Sequence, residues 1–246
     1  MIIFLASSPD GDLFSDNLGA PGGFDNRNNF ADRLRTSLPG KAYFTFFAAY
    51  PDDHSGNDSA AEYFAGVFER TGIRLIGYSV CDSRNADEAE ALLEKSDVIM
   101  LSGGHVPTQN RFFNEINLRN LLKNYSGVII GVSAGSMNSA DTVYAQPEEP
   151  GEGSSSEYKK FLPGLGLTEY MIIPHYQLTK DNYLDGRLLF GEITAEDSFG
   201  RCFYILVDGS YILIKNGETH LYGEAYTISN GCIKKICEYS EEIKLE

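Results

Sequence analysis

From residue 2 to residue 133, short apolar runs alternate with segments of helical period, and this restricts the fold more than any other feature of the chain. The runs are IIFLAS (2–7), AYFTFFAAY (42–50), RLIGYSV (74–80), DVIMLSGG (97–104) and GVIIGVS (127–133). Each is short, rich in β-branched or aromatic residues, and bounded by turn formers, as buried strands are. Between them, NFADRLRTSL spaces Phe30, Leu34 and Leu38 for one helix face and stops at Pro39-Gly40. Residues 59–71 place Tyr63, Phe64, Val67 and Phe68 at helical offsets before Gly72, a C-cap glycine. Residues 86–96 and 108–124 read as two further helices.

Strands alternating with helices imply an α/β fold with a doubly wound, mostly parallel sheet, whose ligands bind beyond the carboxyl ends of the strands. Two of those ends stand out, SGG at 102–104 and GVS at 131–133. After residue 133 the pattern changes. QPEEPGEGSSSE (146–157) has the composition of a mobile surface loop, a candidate lid. TEYMIIPHY (168–176) reads as a strand ending at His175, and a helix is expected around 181–196. From residue 201, Asp208-Gly209, Asn216-Gly217 and Asn230-Gly231 are hairpin signals between strand-like runs. Antiparallel hairpin strands are therefore expected at the C-terminal end of the parallel sheet. The 246 residues suffice for one α/β domain, 1–246, and no shift in composition calls for a second.

Gly131-Val-Ser-Ala-Gly135 is a G-x-S-x-G pattern set between a β-branched run and a helix-compatible one. A serine at a sharp strand-to-helix turn presents its hydroxyl above the sheet edge, and small neighbours clear the space around it. The Ala134 N–H, at a helix N-terminus, can face an oxyanion. The bland alternative is a glycine-rich turn with Ser133 as a helix cap. A nucleophilic serine needs a base, and the base needs an orienting group. Of the four histidines, His175 ends a strand, His220 lies in the hairpin tail, His54 sits in a polar loop and His105 follows the glycine pair. Asp208 is the acid candidate, although Asp-Gly is also favoured in turns for purely conformational reasons. Two chain orders remain open, Ser133…Asp208…His220 and Ser133…His175…Asp208, and the strand-end context favours the second. Glu148, Glu149 and Glu152 are alternatives for the third role. Gly103-Gly104 would let a main-chain N–H approach a ligand closely.

Taken together, LSGGHVPTQNRFF, IIGVSAGSMNSA, IIPHY and YILVDGSYILIKNGETHLYG resemble the peptidase E family of aspartyl dipeptidases, to which cyanophycinase is related. The resemblance runs from about residue 74 to 237. It implies a class I glutamine amidotransferase-like fold, a flavodoxin-like three-layer sandwich, with serine in place of the amidotransferase cysteine. It also implies Ser133 as nucleophile, His175 as general base, Asp208 as the orienting acid, and the Gly104 and Ala134 amides as an oxyanion hole. Family members usually carry asparagine where this chain has His105, which the resemblance places among substrate-binding residues. Arg187 is the nearest candidate for the family's aspartate-binding arginine. The function implied is a serine peptidase acting on small peptides, with N-terminal Asp dipeptides as the family's preference. A related esterase or β-aspartyl peptidase, or a non-catalytic sensor on the same fold, is the alternative.

The formal net charge of -15 disfavours nucleic acid and anionic membranes. Cys81, Cys202, Cys232 and Cys237 form no C-x-x-C pair, so neither a disulfide framework nor a zinc site is expected. No metal or cofactor is called for, and the expected location is the cytoplasm. The partners expected are a small peptide substrate and, at most, a second copy of the chain in a homodimer. Residues 8–40, with the loop at 8–30, carry no part of the family resemblance.

Overall fold

The computed structural model describes residues 1–9 and 22–246. In chain order its elements are β1 (Ile2–Ala6), α1 (Phe30–Ser37), β2 (Ala42–Phe47), α2 (His54–Arg70), β3 (Leu75–Cys81), α3 (Ala89–Glu94), β4 (Val98–Leu101), α4 (Val106–Glu115), α5 (Leu118–Leu121), β5 (Val128–Val132) and α6 (Ala134–Asn138). There follow β6 (Thr142–Tyr144), β7 (Phe161–Pro163), β8 (Met171–Ile173), α7 (Tyr176–Thr179), β9 (Tyr183–Leu184), β10 (Arg187–Leu188), a π-helical turn (Leu189–Thr194) and α8 (Ala195–Asp197). The chain ends with β11 (Cys202–Leu206), β12 (Tyr211–Lys215), β13 (Glu218–Tyr222), β14 (Ala225–Ser229), β15 (Cys232–Cys237) and β16 (Glu242–Leu245). Of the loop at 8–30, residues 10–21 lie outside the described residues.

Eight strands form the central sheet, in the order β16-β13-β12-β1-β5-β4-β2-β3. The five strands from β1 to β3 in that order are mutually parallel, and β12, β13 and β16 extend the sheet antiparallel. The sheet is thus mostly parallel, as the alternating pattern requires. Successive residues of β1 point to opposite faces. Phe4 packs with Phe30, Leu34, Phe64 and Phe68 of α1 and α2 on one face. Ile3 and Leu5 pack with Leu92, Phe112, Phe113 and Leu118 of α3, α4 and α5 on the other. These two apolar layers make the doubly wound sandwich. Among the described residues no helix is long and apolar enough to cross a membrane.

The C-terminal hairpins divide between two sheets. Asn216-Gly217 turns β12 into β13 and Asn230-Gly231 turns β14 into β15, each with positive φ at both residues, the backbone such hairpins need. Asp208-Gly209 does not make a hairpin. It carries the chain from β11, in a second sheet ordered β15-β14-β11-β8, to β12 in the central one. The helix expected around 181–196 is replaced at its start by the β9–β10 hairpin, with Asp185 at φ 52° and Gly186 at φ 80° in the turn. Helical structure begins only at Leu189. The strand expected over 168–176 is confined to β8, because Pro174 lacks a ladder N–H and His175 takes φ 91° to cap α7. The four cysteines are free.

Candidate active site

Ser133 lies between β5 and α6 with φ 51° and ψ -110°, outside the regions that L-residues ordinarily populate. Its N–H donates to the Ala6 carbonyl of the neighbouring strand β1 at 3.1 Å. The glycines around it are sterically required. A Cβ on Gly135 would fall 2.0 Å from the Leu101 carbonyl oxygen, and one on Gly131 would fall 3.0 Å from the backbone of Ser136. Strand β5 and helix α6 therefore approach β4 and each other too closely for side chains at these points, and the turn is held in its strained form.

The Ser133 Oγ lies 2.6 Å from His175 Nε2, and His175 Nδ1 lies 2.7 Å from Asp208 Oδ1. An ionised Asp208 can only accept, so Nδ1 carries the proton and Nε2 is left to accept from the serine hydroxyl. Two residues that the sequence does not flag complete the array. Ser7, fully buried at the end of β1, donates its hydroxyl to Asp208 Oδ1 at 2.6 Å. Gln177 in α7 donates Nε2 to Asp208 Oδ2 at 2.5 Å, while its Oε1 accepts from the Asp208 N–H at 3.2 Å. Burial works against ionising Asp208, but the hydrogen bonds from His175, Ser7 and Gln177 outweigh it and hold the carboxyl below the usual carboxylate range.

The loop after β4 backs onto the serine, since a Cβ on Gly103 would lie 3.5 Å from Ser133 Cβ. Gly104 has φ 148°, and a Cβ there would strike Ala49 at 2.6 Å and the Tyr50 ring at 2.8 Å. Glycine is thus the residue this turn accepts. Ala134 is buried at the start of α6, directly after Ser133.

A model of peptidase family S51 matches residues 24–222, most of the chain. This protein belongs to peptidase family S51. The S51 chain is accordingly a serine-type peptidase. No curated protein sequence matches it significantly. Among solved structures it is similar to a peptidase from an acI-B1 Actinobacterium, with a TM-score of 0.67 at 15% identity, covering 99% of this chain and 96% of that one. It is also similar to a peptidase E-like protein from Listeria monocytogenes EGD-e, with a TM-score of 0.57 at 16% identity, covering 96% and 98%. At such identities the likeness is one of fold.

In this S51 peptidase, Ser133 and His175 open into a cavity of about 160 Å3, shared with Gly104, Met137 and Leu189 among others. Gln146, Pro147 and Glu148 close it from one side, and Asn182, Tyr183 and Leu184 of the β9–β10 hairpin from another. The 146–157 loop, expected to be mobile, is tied at two points. Glu152 accepts from the Glu148 and Glu149 N–H groups through Oε2 at 2.9 and 3.0 Å and contacts His105 Nε2 through Oε1 at 2.9 Å. Asp185 accepts from the Gly151 and Ser154 N–H groups at 2.8 and 3.0 Å.

Two expected substrate contacts fall elsewhere. His105 does not line the cavity, because its ring is held between Thr108 Oγ1 at 2.7 Å and Glu152. Arg187 does not line it either, because its guanidinium pairs with Glu196 at 2.6 Å. The alternative chain order is not assembled. His220 sits on β13 with Glu242 at 2.7 Å, and His54, at the start of α2, bonds Ser83 Oγ at 2.9 Å. Among the described residues, His105, Glu149 and Glu152 bring ligand-type atoms within 4.8 Å of one another. Glu152 and His105 already satisfy each other there, which favours a loop tie over a metal site.

Proposed function

We propose that this S51 peptidase hydrolyses dipeptide-sized substrates through an acyl-enzyme on Ser133. The observation that carries the reading is the unbroken chain from Ser133 Oγ to His175 to Asp208, at 2.6 and 2.7 Å. The Ser133 Oγ attacks the scissile carbonyl carbon while His175 Nε2 takes the hydroxyl proton. Negative charge gathers on the carbonyl oxygen, and the Gly104 and Ala134 amides are the donors assigned to it. The C–N bond breaks as the imidazolium returns its proton to the leaving amine. Water then adds to the acyl carbon with His175 again taking a proton, and collapse frees the acid and the serine. Asp208 stays ionised throughout and stabilises the imidazolium, with Ser7 and Gln177 fixing its carboxylate. The cavity is smaller than the roughly 300–1,000 Å3 typical of drug-sized ligand sites, which suits a short peptide better than a polypeptide segment.

Fluorophosphonate labelling mapped by mass spectrometry tests this, because the probe reacts with an activated serine. Labelling at Ser133 that vanishes in His175→Ala, with loss of peptide turnover in Ser133→Ala, is the expected result. Labelling that survives the loss of His175, or turnover without Ser133, would remove the assignment.

A further inference from the structure

Charge is distributed around the cavity in a way that bears on its substrate, given the hydrolytic reading above. Besides the proposed base His175, the ionisable residues lining it are Glu148 and Tyr183; no Lys or Arg is among the lining residues. The basic residues nearest in sequence to the lining segments are engaged elsewhere, Lys180 toward Asp181 at 4.0 Å and Arg187 on Glu196. Glu149 and Glu152 add negative charge behind Glu148, and the loop N–H groups of Glu148 and Glu149 are turned onto Glu152. Glu148 is therefore carried on a tied loop at the wall of the cavity that Ser133 opens into.

From this we infer that the cavity selects a peptide bearing a positive charge, an ammonium or guanidinium group, with Glu148 as its counter-charge, and discriminates against an acidic side chain. An aspartate carboxylate entering the cavity would exchange water for a wall whose described residues include no Lys or Arg and already hold the Glu148 carboxyl, and burying it unpaired is unfavourable. A cation meets the opposite balance. One charge-assisted hydrogen bond corresponds to about tenfold to a hundredfold in affinity.

Binding is measured by calorimetry in Ser133→Ala, so that turnover plays no part. Lys-Ala carries two ammonium groups, N-acetyl-Lys-Ala only the side-chain one, Nε-acetyl-Lys-Ala only the α-ammonium, and the doubly acetylated peptide neither. Asp-Ala is the acidic comparator, and Ala-Lys and Ala-Asp reverse the order. At least one ammonium peptide should bind about tenfold or more tightly than the doubly acetylated peptide and than Asp-Ala. The singly acetylated pair identifies which ammonium is read. Adding Glu148→Gln should abolish the preference, and Glu148→Arg should turn it toward Asp-Ala, with thermal unfolding confirming that both variants fold. Equal or tighter binding of Asp-Ala, no ammonium preference, no binding of any peptide, or a preference that survives Glu148→Gln overturns the inference. Wild-type turnover separates the two readings. Ammonium-selective binding without cleavage defeats hydrolysis alone, and preferential cleavage of Asp-Ala defeats the charge inference alone.

Discussion

Replacing Ser7 by alanine removes one hydroxyl from the proposed catalytic array without touching the serine, the histidine or the acid. In the folded protein the Ser7 Oγ donates to Asp208 Oδ1 at 2.6 Å, the same oxygen that His175 Nδ1 contacts at 2.7 Å. Gln177 holds the other oxygen, so Ser7→Ala takes one of three side-chain donors from an ionised and mostly buried carboxylate. A hydrogen bond to a charged group contributes about 1.5–3 kcal/mol. If all of it reached the transition state, the rate would fall about tenfold to a hundredfold and more, at about 1.4 kcal/mol per decade. Some of it appears as lost stability instead, so about tenfold is the expected loss. The assay is the second-order rate of fluorophosphonate labelling at Ser133, which requires no knowledge of the substrate. Ser7→Thr, which keeps a hydroxyl, should recover much of the rate. A labelling rate for Ser7→Ala within about twofold of wild type, in a variant that unfolds normally, would refute the idea that the carboxylate clamp orients His175.

Four further outcomes are expected, from three variants. Asp208→Asn should slow labelling by orders of magnitude, on the scale of about 10⁴-fold seen when an orienting acid becomes an amide, because Nδ1 loses its acceptor and the wrong tautomer faces Ser133. The same variant has a signature in acid. The folded-state pKa of Asp208 is depressed, so its contribution to stability is present above about pH 4 and lost as pH falls through the folded value; urea unfolding of wild type and Asp208→Asn should therefore converge only below about pH 4, and a gap independent of pH would contradict the assignment. Gly135→Ala, whose Cβ would sit 2.0 Å from the Leu101 carbonyl oxygen, should lower stability by at least the roughly 1–3 kcal/mol of an overpacked core, and unchanged urea unfolding would show that α6 can move away from β4. Glu152→Ala should speed cleavage of the 146–157 loop by a glutamate-specific protease, whereas an unchanged rate would assign the loop's anchorage to Asp185 alone.

Four of the parallel strands, β1, β2, β4 and β5, were legible because each is a run of largely buried residues, whereas the edge strand β3 leaves Ile76 and Tyr78 exposed and was legible from its β-branched and aromatic content. The helix misread around 181–196 shows where periodicity misleads. Leu184 and Leu188 keep a helical offset, yet Asp185-Gly186 between Tyr183-Leu184 and Arg187-Leu188 is a hairpin signal, and positive φ at both residues makes the turn. Asp208-Gly209 shows the converse. The dipeptide signals a turn correctly, but which strands it joins depends on pairing that local sequence does not encode. Ser7 and Gln177 left no local trace at all. One is a serine after an apolar run and the other a glutamine two residues after a histidine, and both matter through contacts to Asp208, 201 and 31 residues away. The family resemblance places His105 and Arg187 near the substrate, and in the folded chain Glu152 and Glu196 pair with them instead.

Register explains why residues so far apart in sequence meet. Strands β1 and β5 run parallel with Ala6 opposite Val132, so the next residue on each is Ser7 beside Ser133. Strands β8 and β11 run parallel in the second sheet with Ile173 opposite Ile205, and His175 and Asp208 follow two and three residues beyond, in the turns that leave the two strands. Parallel pairing brings the carboxyl ends of both members to the same edge, where side chains leave the ladder and face outward. Each parallel pair therefore delivers two of the four groups, and the hydrogen bonds from Ser7 to Asp208 and from Ser133 to His175 each cross from one sheet to the other. A slip of one residue in either pair would shift one of its two groups along the edge by a residue, away from its partner. The array thus depends on two registers at once, and the apolar residues that set those registers, among them Phe4, Ile130, Ile173 and Phe203, belong to the chemistry of the site as much as to the core.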